Sequence, residues 1–254
     1  MTATNWDVFW YAMLTAVATG LGAVPFAFIK KITRRVMGIS NSIAAGLMTG
    51  ASFGLLIEAV EYSKSKMIWG LVLGIVFIGL MDLLSDFFKR RITNGSEKTI
   101  LKLHDTFGKD FFKSMLLIFI MTAHSAAEGI GIGTSFGGEI KFGILMSLAI
   151  AIHNIPEGLA ISAVLVSQGV KWWKAALWSI FTSLPQPLLA VPAFMFVSVF
   201  KPYLPVGLGF AAGAMLWLVF SEIVPESTEN INPQQAATIM MISFILILII
   251  QFFL

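Results

Sequence analysis

Apolar residues in this sequence are gathered into eight long stretches, and most polar residues lie in the segments between them. Each stretch is close to the ~20 residues that a helix needs to cross the hydrocarbon core of a bilayer. The strict alternation of polar and apolar positions that is typical of membrane β-barrels is absent. We therefore predict an all-α integral membrane protein that forms a single domain over residues 1–254. Its eight transmembrane helices, called spans 1 to 8, cover residues 6–29, 38–60, 67–88, 114–136, 142–167, 172–200, 204–223 and 236–254.

Composition supports this class. Hydrophobic residues make up 57% of the chain and charged residues only 12%, which lies outside the range of soluble domains. The absence of cysteine excludes disulfides and thiolate metal sites, so any metal ligand must be a histidine, carboxylate, amide or carbonyl group. We expect the protein to lie in a lipid bilayer, to bind no nucleic acid and to hold no resident cofactor.

The basic residues predict the orientation. Of the 17 lysines and arginines, 13 lie in the loops after spans 1, 3, 5 and 7 or, for Lys174, within three residues of such a loop. The longest of these loops is residues 89–113. Basic loops stay on the cytoplasmic side, so we expect both termini to be extracytoplasmic, in a multi-pass protein of the plasma (inner) membrane. Basic residues follow span 1 rather than precede it, the reverse of a cleavable signal peptide, so span 1 is predicted to be retained.

Spans 4 and 5 each carry a histidine and a glutamate four residues apart, His124 with Glu128 and His153 with Glu157. The spacing places both side chains of a pair on one helix face, at roughly 17 to 24 Å from the helix start and so near mid-membrane. The short connection makes the two spans antiparallel, so the two faces can oppose each other. Two imidazoles and two carboxylates suit Zn²⁺ and also Fe²⁺, Mn²⁺, Co²⁺ or Cd²⁺.

A plainer explanation is that the histidine and glutamate of each helix only satisfy one another. Two copies at matched depth favour a metal site, since ionisable groups inside a membrane are costly and are usually functional. Pro156 supports this interpretation because it frees a backbone carbonyl. Gly129 and Gly158 permit close backbone approach.

A few other polar residues lie within or beside the apolar spans. Gln186 lies between two prolines in span 6. An amide at this position predicts that span 6 forms a third wall of the cavity around the metal site. Glu58 is a candidate for a polar path, and Glu222 and Glu226 are either an exit station on the cytoplasmic side or solvated residues at a helix end. Span 1 has no ionisable group after Asp7, so packing and topology are its only predicted roles.

The segments HSAAEGIGIG, from His124, and HNIPEGLA, from His153, resemble spans 4 and 5 of the ZIP (zinc/iron-regulated transporter-like) family, nearest to its GufA-like branch. The resemblance covers the whole chain. It implies a 3+2+3 arrangement of helices around central spans 4 and 5, and movement of metal toward the cytoplasm. It also implies a binuclear centre whose primary site is formed by His124, Glu128, His153 and Glu157.

In that family the two glutamates bridge the primary metal site to a second one. The resemblance implies that Ser125, Asn154 and Gln186 complete the second site here. Relatives often carry asparagine where Ser125 stands and an acid where Gln186 stands, so the second site here is short of charge. The long loop also lacks the family's frequent run of histidines and keeps only His104.

The sequence thus predicts a transporter of divalent metal ions, with zinc the first candidate, and no enzymatic activity. The alternatives are a membrane metalloenzyme and a proton channel or metal sensor with a structural metal site. The H-E-x-x-H arrangement of metallohydrolases is absent, and the Glu-x-x-His order of di-iron helices is reversed here. Small-residue faces on spans 2 and 7 permit a homodimer.

Overall fold

The computed structural model describes residues 3–29, 31–94, 118–119 and 121–253, and the side chains at 85, 86, 88–94 and 253 are not described. Within these ranges the chain is helical and contains no strand. The helices are α1 Asn5–Leu21, α2 Arg34–Tyr62, α3 Lys64–Asn94, α4 at 118–119 and 121–138, α5 Ile140–Ser167, α6 Trp172–Ser183, α7 Pro185–Val199, α8 Leu204–Leu218, α9 Val224–Asn230 and α10 Pro233–Phe253.

Seven helical segments in the described part of the chain are long and apolar enough to cross a membrane, and they coincide with predicted spans 1 to 3 and 5 to 8. Span 4 corresponds to α4, and the first residues of the predicted span lie outside the described ranges. The all-helical membrane fold is confirmed. Only 17% of the apolar windows of α3 and α10 is buried, so most of the surface of these two helices lies outside the bundle.

Three predicted spans are not single regular helices. Span 1 consists of α1 and, after a short turn, a 3-10 helix at Val24–Ala27. Span 6 consists of α6 and α7, which meet at Leu184, because Pro185 and Pro187 have no N–H to continue the helical hydrogen bonds. Span 7 runs through α8, a π-helical turn at Val219–Ile223 and α9. Pro225 follows that turn and cannot donate to the carbonyl four residues earlier, which favours the local change of helix type.

Helices α4 and α5 lie at the centre of the bundle, as the 3+2+3 arrangement requires. Helix α5 packs against α1, α2 and α6. Helix α4 approaches α5, α7 and α8, with Gly133 against Ala190 and Gly131 against Ala211. Only Glu139 separates α4 from α5, so the two helices are antiparallel neighbours.

The two glycines that follow the motif glutamates are both points of backbone contact. A methyl group added at Gly129 would lie 2.6 Å from the carbonyl oxygen of Gln186, and one added at Gly158 would overlap the carbonyl oxygen of Thr19. The close approach predicted for both glycines is confirmed. Pro156, by contrast, lies inside α5 without ending the helix.

We expect Gly158→Ala to destabilise the protein because its methyl group would force α1 and α5 apart, at a cost of about 1–3 kcal/mol. Gly79→Ala is the matched control, since a methyl group there would meet its nearest neighbour, the Trp217 ring, at 3.5 Å, an ordinary contact. Thermal unfolding of the detergent-solubilised protein provides the measurement. Equal melting temperatures for the two variants would contradict the proposed role of Gly158.

Candidate metal centre

Three of the predicted ligands lie together in the interior, between α4 and α5. One potential ligand atom from each of His124, Glu128 and His153 lies within 4.8 Å of the other two. All three side chains are at most 1% exposed. In the described part of the chain this is the one cluster of three or more His, Cys, Asp or Glu residues with metal-binding geometry.

Glu128 is the central member of this cluster. Its Oε1 lies 2.6 Å from Nε2 of His153, across the helix pair, and 3.1 Å from Nε2 of His124, one turn earlier on its own helix. The His124 contact lacks hydrogen-bond geometry, and neither nitrogen of that ring has a hydrogen-bond partner. The histidine of α5 is therefore paired with the glutamate of α4, which supports opposed faces rather than two self-satisfied helices.

Glu157, the fourth predicted ligand, lies outside the three-residue cluster. It is half-buried, and its Oε1 has no hydrogen-bond partner. The carboxylate is close enough to Glu128 and His124 to interact with both electrostatically. Glu157 thus borders the cluster and keeps an oxygen available to a bound cation.

Gln186, on α7, contacts the central carboxylate. Its Nε2 donates to Glu128 Oε2 at 2.5 Å, and its Oε1 accepts from the Thr15 hydroxyl and, at 3.3 Å, from Nδ2 of Asn154. The same Asn154 nitrogen donates to the Thr15 backbone carbonyl at 3.0 Å. A buried polar network therefore joins α1, α5 and α7 to the central carboxylate.

Thr15 was missed by sequence reasoning, which gave span 1 only a packing role. The side chain is fully buried, and one turn later Thr19 makes a 2.8 Å contact with the Ser183 hydroxyl. Two threonines spaced i, i+4 in an apolar helix place both hydroxyls on one face. That spacing was the available signal. A threonine hydroxyl facing lipid can bond only the carbonyl three or four residues earlier, as Thr15 also does with Ala12 at 2.6 Å, whereas two hydroxyls on one face indicate a face that packs against other helices.

Several buried polar atoms around the cluster have no hydrogen-bond partner. They comprise Ser125 Oγ, Asn154 Oδ1, Glu157 Oε1, both ring nitrogens of His124 and Nδ1 of His153. Leaving such atoms unsatisfied costs about 1–3 kcal/mol each, and a bound ion or water is the usual explanation. The mixture of imidazole nitrogens with carboxylate, amide and hydroxyl oxygens suits a divalent cation.

The predicted path residues lie at opposite ends of the bundle. Glu58 is near the end of α2, where Tyr62 donates to it at 3.2 Å and the end of α4 lies close by at Gly138. Glu222 lies in the π-helical turn at the other end of α8 and interacts electrostatically with His124. Glu226, in α9, is exposed. Loop 89–113 with His104 lies largely outside the described residues.

Comparison with known proteins places these motifs in a family. A family model described as "ZIP Zinc transporter" matches residues 110–195, which include α4, α5, α6 and most of α7. The chain is 30% identical to zinc transporter GufA of Myxococcus xanthus, over 94% of this chain and 96% of the relative. It is 28% identical to zinc transporter ZIPB of Bordetella bronchiseptica, over 92% of this chain and 77% of that protein.

An Arabidopsis thaliana protein named as a candidate zinc transporter is 45% identical over 92% of this chain. The chain spans only 36% of that plant protein's length. The match to GufA, by contrast, extends over nearly the full length of both chains. The chain therefore belongs to the ZIP zinc transporter family: it is a multi-pass membrane protein of divalent metal transport, and its buried His–Glu cluster fits a metal site.

Proposed function

We propose that this chain moves Zn²⁺ across the membrane into the cytoplasm, and that the ion is bound on the way by His124, Glu128, His153 and Glu157. The observation that carries the proposal is the buried contact of Glu128 with two histidines from opposed helices. The relatives GufA and ZIPB are named as zinc transporters, which supports zinc as the cargo.

The ligand chemistry accounts for the cation class. Imidazole nitrogens and carboxylate oxygens together bind Zn²⁺ at tetrahedral sites, and the same donors accept Fe²⁺, Mn²⁺, Co²⁺ and Cd²⁺. The charges of Glu128 and Glu157 balance one divalent cation. This balance lowers the cost of holding the ion in a medium of low dielectric constant.

The acidic residues at the two ends of the bundle suggest a route. A cation attracted by Glu58 at one end reaches the buried cluster, exchanges water for the protein ligands and leaves past Glu222 and Glu226. The loop charges make the Glu58 end extracytoplasmic, with both chain termini on that side, in the plasma (inner) membrane. In this orientation the route from Glu58 to Glu222 and Glu226 runs toward the cytoplasm.

A metalloenzyme is the less favoured alternative, because the sequence lacks the H-E-x-x-H arrangement that couples a metal to a general base. A proton channel or metal sensor would use the same buried ligands without passing the metal on. Flux of labelled metal separates transport from both alternatives. The small-residue faces of α2 and α8, from which the sequence suggested a homodimer, pack against α10 and α3 within the chain, with Gly46 against Met240 and Gly213 against Leu71, so a homodimer would have to use another surface.

Removal of a central ligand should abolish transport. We expect Glu128→Gln and His153→Ala to lower zinc uptake into proteoliposomes at least tenfold, because each removes a donor from the buried cluster. Glu61→Gln is the control, since Glu61 is exposed near the end of α2. Uptake at the level of the unsubstituted protein by both cluster variants would refute the proposed site. Competition by Fe²⁺, Mn²⁺, Co²⁺ and Cd²⁺ in the same assay would rank the cargoes.

Metal binding should release protons and weaken as the medium becomes more acidic. Ligation requires ionised carboxylates and neutral imidazoles, so protons compete with the cation for the same atoms. We expect apparent zinc affinity to fall as the pH is lowered from about 7.5 to about 5.5. A pH indicator in weakly buffered medium reports the released protons during zinc titration. Equal release by a His124→Ala/His153→Ala double variant would show that the protons come from elsewhere.

A further inference from the structure

The hydrogen bonds around Gln186 fix the orientation of its amide. The Thr15 backbone carbonyl can only accept, so the Asn154 atom 3.0 Å away must be the amide nitrogen. That nitrogen is a donor, and therefore the Gln186 atom 3.3 Å from it must be the oxygen. The NH₂ group of Gln186 consequently points at Glu128 Oε2. The opposite orientation would place two amide nitrogens against each other.

This orientation occupies the second oxygen of the central carboxylate. Glu128 Oε1 faces the two histidines, and Oε2 accepts from Gln186. A carboxylate that bridges two cations needs one oxygen for each of them. In this protein the position beside Oε2 is held by an amide donor.

The charge of the site also argues against a second cation. Among the described residues, the carboxylates that interact with this cluster are Glu128, Glu157 and, through His124, Glu222. Two divalent cations carry four positive charges, which three carboxylates do not balance, and excess charge in the membrane interior is costly. Ser125 Oγ and Asn154 Oδ1 have no partners but are neutral, so they solvate a cation or its water without offsetting its charge.

We propose that the centre binds one cation at a time and that the Gln186 amide, oriented by Thr15 and Asn154, stands where a second cation would otherwise bind. Gln186 is then a neutral hydrogen-bond donor to Glu128 rather than a metal ligand. Thr15, on α1, is a residue that positions the Gln186 amide. The proposal rests on the metal-binding role of the His–Glu cluster given above.

Zinc stoichiometry tests the number of cations. Purified protein in lipid nanodiscs is equilibrated with Zn²⁺, and bound zinc is measured by mass spectrometry. The His124→Ala/His153→Ala variant supplies the background from surface sites. We expect the unsubstituted protein to exceed this background by one zinc per chain. An excess of two would overturn the one-cation proposal, whereas no excess would refute the metal centre itself.

Gln186→Glu supplies the missing charge at nearly constant size. We expect this variant to bind two zinc ions per chain above background, because the substitution adds a carboxylate and removes the amide donor. Gln186→Met, which lacks both charge and donor, is the control and should remain at one. A folded Gln186→Glu variant that still binds one zinc would overturn the assignment of Gln186. If the variant does not fold, the number of zinc ions bound by the unsubstituted protein decides the proposal.

The role of Thr15 is tested by comparing two substitutions. Thr15→Val preserves shape but removes the hydroxyl that holds Gln186 Oε1, and we expect about tenfold weaker zinc binding. Thr15→Ser retains the hydroxyl and should bind zinc within about twofold of the unsubstituted protein, while both variants keep a stoichiometry of one. Equal affinities for the Val and Ser variants, at equal melting temperatures, would show that the hydroxyl does not position the amide.

Discussion

The buried contact between Glu128 and His153 is the interaction on which the rest of this structure depends. It joins the two central helices through a carboxylate and an imidazole that are both removed from solvent. An ionisable group at such a depth costs several kcal/mol unless it is paired or binds a cation. The surrounding helices therefore have to hold both side chains in register and supply partners for the remaining polar atoms.

Close contact between the backbones of neighbouring helices meets that requirement. Gly129 lets α4 approach the backbone at Gln186, and Gly158 lets α5 approach α1 at Thr19. Within a bilayer the hydrophobic effect gives little drive for helices to associate, so close contact and interhelical hydrogen bonds have to provide it. The same glycines that tighten the packing bring the Gln186 amide and the Thr15 hydroxyl within reach of the cluster. Packing and ligand geometry are thus set by the same residues.

Sequence reasoning reached the helices and the central ligands because both have strong local signals. Apolar length marks a span, and a histidine four residues before a glutamate marks one helix face. The contact of Thr15 with Gln186 joins residues 171 positions apart, and hydropathy does not specify how α1 is rotated toward α7. The break at Leu184 and the π-helical turn at Val219–Ile223 were also missed, since prolines predict a disturbance but not its form.

A transport site must bind its cation firmly enough to take it from water and loosely enough to release it, a balance also required of ion channels. A neutral amide at Gln186 contributes to this balance. It satisfies Glu128 Oε2 when no ion is present, which stabilises the empty site, and it adds no negative charge that would hold the cation. On the proposed route, the next carboxylate is Glu222, which interacts with His124 from the turn after α8. A carboxylate in place of Gln186 would bind the cation more tightly at the centre and make its movement toward Glu222 less favourable. Tighter binding would then be expected to accompany slower release.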